Sequence, residues 1–400
     1  MRAIRENEVV VTGLFLVVVA ATLGLSTTTL HSRGLIELVR LLCLAGATSL
    51  MVVHLIANFG FDRRLLFAIY VGFSFFVYGL GLGLLNGSFD LVAATILRDA
   101  VAIFLLVYYL AAGGRLFGVL FPDVLAKAFC YYAIVVIIFT FWADGLKLSY
   151  PPHFVNEYLS EERGSAVHYS QGLSKFFALS SIAAFYTLTR SGSPFKYCWL
   201  LLSAIFFLLS LLGGARGDSL AGLLFIGILA SRFAPVLSGI ALFGVLFGLL
   251  GMDTVFVDSE DFVILRRLGA LSDAAQVRGS LLEDALDLLA GNAVCLVRGC
   301  GFGYFQSYYG YHAGLYPHNS ILELVISVGG VFFVFLLALA LSGAWLHYQE
   351  NKAFGFFGFV FGYFFAISLK SGAVLSAWFV LAGAFYFVGF ALCSVRGRWQ

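Results

Sequence analysis

Long apolar runs, broken at short intervals by small clusters of polar residues, dominate the pattern along the chain. A helix needs about 20 predominantly apolar residues to cross the hydrocarbon core of a bilayer, and runs of that kind predict twelve crossings. The first six lie near Val9–Leu25, Leu35–Phe59, Leu65–Leu85, Leu91–Ala112, Val124–Ala143 and Phe176–Thr189. The other six lie near Tyr197–Leu212, Leu220–Ala230, Val236–Leu250, Ile321–Leu346, Phe354–Leu369 and Val374–Cys393. The fold class expected is an all-α polytopic membrane protein, residues 1–400 forming a single integral membrane domain. The first run is read as a true span and not a cleaved signal peptide, because further spans follow closely and no small-residue cleavage site precedes a soluble domain.

Basic residues resist translocation, so the Lys/Arg bias of short loops sets direction. Placing the N-terminus inside puts Arg2, Arg5, Arg63, Arg64, Arg115, Arg190, Lys196, Arg232, Lys352, Arg396 and Arg398 in cytoplasmic segments. An even number of spans then leaves both termini in the cytoplasm. It also leaves two long segments outside, about 144–175 and 251–317, which translocate despite their charges. Composition agrees with the pattern. Of 400 residues 61% are apolar and 12% charged, against about 25% charged in ordinary soluble domains. Twenty-four Lys and Arg against 22 Asp and Glu leave +2, too small and too scattered a surplus for a nucleic-acid partner. No internal repeat is visible, which withholds support from a repeat-built transporter.

Three polar constellations fall on the outer face. In the turn Gly213-Gly214-Ala215-Arg216-Gly217-Asp218-Ser219, Ser219 is a candidate cap for the following helix and Arg216 sits at the membrane surface. The plain alternative is an Arg paired with Asp218 or reaching to headgroups. In the second long loop, Arg278–Leu289 alternates apolar and acidic residues with helical period and reads as an amphipathic helix outside the bilayer. Ser280 with Glu283 resembles a capping box, which would set Arg278 just before the helix start, where backbone N–H groups favour an anion. Glu283 and Asp284 would equally satisfy that dipole themselves. The third constellation runs from Arg298-Gly299-Cys300-Gly301-Phe302-Gly303, read as a turn, to Tyr316-Pro317-His318-Asn319-Ser320-Ile321-Leu322-Glu323. There Ser320 with Glu323 again resembles a capping box and fixes His318 at the mouth of the tenth span. Unperturbed imidazole titrates near pH 6.5, a value suited to proton transfer; a structural role is the alternative.

Other clusters read more plainly. Asp258, Glu260 and Asp261 are an acidic patch best taken as solvated loop, and no ligand spacing for a metal is visible. Arg98 beside Asp99, and Glu37 near Arg40, read as mutually neutralising groups within the bundle, with lining of a cavity as the alternative. Cys43, Cys130, Cys198 and Cys393 fall in spans as small core residues. Cys295 and Cys300 share the outer loop, where an oxidising compartment would join them; two free thiols are the other possibility.

Taken together, these residues resemble the bacterial O-antigen polymerase and O-antigen ligase family, membrane glycosyltransferases that use polyprenyl-diphosphate-linked glycans. Four features in chain order carry the likeness: Gly214-Ala215-Arg216-Gly217, the long loop with Arg278, Gly301-Phe302-Gly303, and Pro317-His318-Asn319 followed by Leu322-Glu323 and Gly329-Gly330. The resemblance is clearest from about residue 210 to 335. It implies His318 as catalytic base, with Arg216, Arg278 and, from the first long loop, Arg163 binding diphosphate. Asn319 and Glu323 are the supporting residues. It implies an inverting, metal-independent transfer with no cofactor, acting at the periplasmic face of the bacterial inner membrane. The partners implied are an undecaprenyl-diphosphate-linked oligosaccharide donor and a glycan acceptor, either a lipid-linked repeat unit or lipid A-core. Phe332 stands where ligases carry a small or hydroxyl residue, and with Arg163 this favours polymerase over ligase. A transporter or lipid flippase is the rival class; it would place polar groups at mid-membrane and break helices in paired positions. An intramembrane serine protease using Ser219 and His318 is less favoured, since no Gly-x-Ser-Gly motif is present.

Overall fold

The computed structural model describes residues 2–23, 33–58, 63–117, 121–142, 146–149, 153–156, 171–190, 196–213, 216–231, 271–312, 315–351, 355–370, 375 and 377–397. The first five helices are α1 (Arg2–Leu23), α2 (Arg33–Asn58), α3 (Arg63–Leu85), α4 (Asp90–Phe117) and α5 (Phe121–Trp142). A hairpin of β1 (Leu146–Ser149) and β2 (His153–Asn156) precedes α6 (Gln171–Arg190), α7 (Lys196–Leu212) and α8 (Arg216–Ala230). After the gap come α9 (Leu271–Gly291), α10 (Ala293–Val297), α11 (Tyr304–Tyr309) and α12 (Ser320–Val328). The chain closes with α13 (Gly330–Asn351), α14 (Gly355–Lys370) and α15 (Trp378–Gly397).

Five of these helices are long and apolar enough to cross a membrane: Gly34–Ala57, Arg63–Leu85, Thr95–Gly113, Asp123–Trp142 and Gly330–Glu350. Shorter apolar helices cover Glu8–Leu23, Lys196–Leu212, Gly217–Ala230, Gly355–Leu369 and Trp378–Cys393. The protein is thus a helical, membrane-spanning one. The expected ninth span, Val236–Leu250, lies outside the described residues, as do Asp258, Glu260, Asp261 and Arg163. Large apolar side chains point outward on several spans, among them Leu42, Ile56, Tyr70, Phe73, Val135, Leu201, Val331 and Phe335. Such a surface is stable only against lipid or a partner, since no water-facing protein keeps so much apolar area exposed.

The expected span Ile321–Leu346 is corrected. It is two helices, α12 and α13, separated at Gly329, which has φ +84°. Apolar composition alone runs through this point because Val325, Ile326 and Val328 precede it and Val331, Phe332 and Phe333 follow; the break comes from Gly329 and from what packs against it. The hairpin was also not foreseen. Leu146 and Phe154 are buried and Phe141 lies edge-on to Phe154 at 5.9 Å, so the hairpin seats on the end of α5.

The centre of the bundle is α6, packed against α5, α7, α8 and α14. It is buried nearly all round, including Ser174, Ser180, Ser181 and Thr187. Their hydroxyls are used: Ser181 and Ser203 exchange bonds to each other's carbonyls at 2.8 and 3.0 Å. Ser210 donates to the Ser174 carbonyl at 2.8 Å and lies 2.7 Å from Ser219 Oγ. Ser219 is therefore an interior residue of α8 and not its cap, since the helix already begins at Arg216.

The ion-pair reading of the bundle charges holds. Arg40 bonds Glu37 at 3.0 Å, Arg98 reaches Glu37 at 3.5 Å and Asp99 at 3.1 Å, and Trp378 Nε1 donates to Asp99 at 3.1 Å. Two cations and two carboxylates cancel, and Arg40 also lies 4.7 Å over the Trp378 ring. Of the cysteines placed in spans, Cys130 is buried but Cys198 is exposed at the first turn of α7, a correction to the core reading.

Candidate functional site around His318

A second, smaller core lies beside the bundle. Leu281, Ala285, Leu288 and Leu289 of α9 meet Phe305 of α11 and Val325 and Ile326 of α12, around Cys295 and Cys300. The apolar face of α9 is the one its sequence period marks, with Glu283 and Asp287 exposed on the other side. Its start is different. The helix begins at Leu271, so Arg278 is an interior helical residue and Ser280 with Glu283 forms no cap. Ser272 to Val277 contain no breaker, and Gly279 costs only about 1 kcal/mol in a helix interior, so the helix propagates past the apparent box. The anion site expected at a helix N-terminus beside Arg278 is not formed there.

The turn 298–303 locks this module to the bundle. Cys300 N and Gly301 N donate to the carbonyls of Ile326 and Ser327 at 2.7 and 2.9 Å, and Phe302 N donates to Gly79 O at 3.2 Å. The first two donors satisfy carbonyls that the interruption of the helix at Gly329 leaves open, and the third reaches into α3. From α3 and the turn after it, Tyr78 OH donates to Arg298 O at 2.6 Å, Asn86 Nδ2 to Cys300 O at 2.8 Å, and Ser88 Oγ to Phe302 O at 2.8 Å. Gly299, Gly301 and Gly303 all have positive φ. A Cβ on Gly301 would overlap the Gly83 backbone, and one on Gly299 would come within 2.6 Å of Gly329 N. Glycine at this motif is thus a requirement of backbone meeting backbone. Cys295 and Cys300 are joined as a disulfide with Cα atoms 4.9 Å apart, which decides the question the sequence left open.

At the other end of α12 stands His318. Asn319, not Ser320, is the N-cap: its side chain accepts from the N–H groups of Ile321 and Leu322 at 3.0 and 3.2 Å. The expected capping box is displaced by one residue, because Asn holds the extended conformation of a cap (φ −139°) and leaves Ser320 as first helical residue. Glu323 then closes the first turn and is buried. His318 adopts φ +54°, the one non-glycine residue in the left-handed region among the described residues. That conformation is uncommon outside Gly, although Asn, Asp and His adopt it more often than other residues, and residues held in it cluster at functional sites. Buried Pro317 precedes it, and the Tyr316 ring lies 4.5 Å from the imidazole.

The arginines are placed only by their helices. Arg216 is the first residue of α8, and Arg278 lies in α9; Arg163 is outside the described residues. Helix α9 packs directly on α12, whose mouth holds His318, and α8 packs on α14, which in turn meets α12.

Sequence reasoning missed the tyrosines. Tyr304, Tyr308, Tyr309 and Tyr311 cluster over buried Phe305, and Tyr309 and Tyr311 both donate to Asp284, at its carbonyl (2.7 Å) and its Oδ2 (2.8 Å). The bond to Asp284 raises the Tyr311 phenol above its ordinary range; partial burial, followed by Asp284, raises that of Tyr309. The signal available was the run Tyr304-Phe305-Gln306-Ser307-Tyr308-Tyr309-Gly310-Tyr311, in which five of eight residues are aromatic. Comparison with known protein families, with curated proteins and with solved structures finds no match for this chain.

Proposed function

We propose that the protein is a membrane glycosyltransferase that moves a glycan from a polyprenyl-diphosphate donor to an acceptor sugar hydroxyl, in the manner of an O-antigen polymerase. The observation that carries this reading is the setting of His318: a left-handed residue at the mouth of an interrupted helix, with Asn319 capping that helix and a glycine turn and disulfide bracing its far end. A fixed imidazole beside a membrane suits a general base. It takes the acceptor hydroxyl proton as the oxygen attacks the anomeric carbon and the bond to diphosphate breaks. Arg216, Arg278 and Arg163 are assigned to the departing diphosphate, where guanidinium groups bond phosphate oxygens bidentately. Attack opposite the leaving group inverts the anomeric centre. The disulfide supports an oxidising compartment, and hence a periplasmic site at the bacterial inner membrane. The topology that goes with this reading is twelve spans with both termini cytoplasmic.

A ligase acting on lipid A-core shares this chemistry, and Phe332 weighs against it on the grounds of resemblance. A transporter gains the break at Gly329 and the four charges of α2 and α4, but both are filled by protein groups: the turn 298–303 bonds the break, and the charges pair with one another.

Deletion of the gene in its native host, followed by gel analysis of surface polysaccharide, tests the reading. Single repeats joined to core indicate a polymerase; long lipid-linked chains not joined to core indicate a ligase. His318→Ala should reproduce the defect, and unaltered polysaccharide in that variant removes His318 from the mechanism.

A further inference from the structure

The tyrosine cluster on α11 is a built surface that the transfer chemistry does not use. Its geometry is fixed from beneath and from the side. Phe305 is 1% exposed and anchors the helix, Tyr309 stacks on Tyr311 at 5.5 Å and 20°, and Tyr308 stands edge-on to Tyr309 at 4.9 Å. Asp284 holds both Tyr309 and Tyr311 by their hydroxyls. Tyr308 nevertheless leaves 57% of its area exposed. Rigid phenol rings with fixed rotamers give large contact area at small entropic cost, which suits a ligand with flat apolar faces and hydroxyl rims.

Charge narrows the ligand further. The acids Asp284 and Asp287 of α9 lie beside the cluster, and Asp287 is exposed. Carboxylates there repel phosphate, so neither a diphosphate nor an anionic headgroup fits, whereas uncharged sugar hydroxyls donate to carboxylates readily. The cluster is also tied to His318. The link from Tyr311 to His318 is seven residues, which span at most about 25 Å. It is folded by a bond from Leu315 N to His312 O at 2.9 Å, and it carries Tyr316 against the imidazole. The cluster and His318 therefore lie within the reach of a short oligosaccharide.

We infer that Tyr308, Tyr309 and Tyr311 form an acceptor subsite, holding uncharged sugar rings of the glycan so that its terminal hydroxyl reaches His318. The inference rests on the glycosyltransferase reading and adds the side from which the acceptor enters. The diphosphate end of the donor is excluded from this side by the acids.

The test uses the full chain in nanodiscs of phosphatidylcholine. The probe is the oligosaccharide released by mild acid from the host's own lipid-linked repeat unit, with binding followed by saturation-transfer NMR. Tyr308→Ala should weaken binding about tenfold, while Tyr308→Phe, which keeps the ring, should stay within about twofold of the wild type. Equal binding by wild type and Tyr308→Ala, or no binding by the wild type, overturns the subsite. Extra quenching of Tyr308→Trp fluorescence by brominated lipid, relative to the wild-type chain, would place the cluster against the bilayer and overturn it too. Transfer is read separately in cells. Unaltered polysaccharide with His318→Ala defeats the glycosyltransferase reading itself, whereas lost transfer there with unimpaired binding by Tyr308→Ala defeats the subsite alone.

Discussion

The two cores of this protein mix polar and apolar residues differently. Around α6 the interior sets Ser, Ala and Thr among Leu, Ile and Phe, while large apolar residues such as Leu42, Phe73 and Val135 face outward. Around α9 to α12 the interior is Leu, Val, Ile and Phe about a disulfide, and the outward face of α9 carries Glu283 and Asp287 beside exposed Leu282 and Leu286. In lipid, apolar side chains gain nothing by turning inward, so helices associate through close packing and interhelical hydrogen bonds such as Ser181 with Ser203. The second core has a water-side arrangement and is held by hydrophobic burial. Fewer than about 70 residues rarely supply enough burial for independent stability, and small units of that kind are stapled. Here the staples are the Cys295–Cys300 disulfide and the glycine turn clasped between α3 and α12.

Substitutions that act on one core and spare the other break or sharpen this contrast. The largest effect is expected at their joint. Gly301→Ala places a methyl into the Gly83 backbone at φ +97° and should cost about 4 kcal/mol or more, releasing the module from the bundle. Proteolysis of purified protein should then cut within 271–312 while the bundle helices survive. A partner variant calibrates it: Gly310 has φ +69° but open space where a Cβ would go, so Gly310→Ala should cost only about 1 kcal/mol.

Opening the disulfide comes next. A loop this short contributes about 2 kcal/mol in the chain-entropy account, so the double variant Cys295→Ser, Cys300→Ser should lower the unfolding free energy of the module by that amount, read from the fall in its denaturant midpoint. Detergent-induced unfolding of the bundle should not move. If both transitions shift together, the two cores are one cooperative unit.

Asn319→Ala should cost about 1 kcal/mol through loss of the cap on α12. Because the cap adjoins His318, transfer should fall by more than stability does, while Asn319→Ser or Asn319→Asp should restore both. The smallest effect belongs to the bundle. Ser181→Ala removes an interhelical hydrogen bond worth about 0.6 kcal/mol in membrane proteins, measurable as a shift in SDS unfolding with no change in protease sensitivity of the module.

Much of the helical plan was legible. Leu65–Leu85 became α3, Val124–Ala143 became α5, and the apolar face Leu281, Ala285, Leu288 and Leu289 was marked by a 3.6-residue period. Those signals are local: the length of an apolar run and the phase of a repeat are visible wherever the chain goes. The misplaced helix starts share a cause. Ser219, Ser280 and Ser320 each have the side chain of a cap, yet helices began upstream at Arg216 and Leu271, and at Ser320 itself, behind the Asn319 cap. A cap residue marks a helix start only if the preceding residues do not carry the helix further.

The sequence alone determined the membrane class, where most of the helices lie, and the amphipathic character of α9, because these depend on composition and period along a short stretch. It also put His318 and Asn319 at a helix mouth. Only the tertiary structure decided that the helix after His318 ends at Gly329, that Cys295 and Cys300 pair, and that Tyr309 and Tyr311 meet Asp284. The reason is contact between segments far apart in the chain. The turn at Arg298 is held by Tyr78, 220 positions away, and no local pattern specifies which distant backbone will meet a glycine.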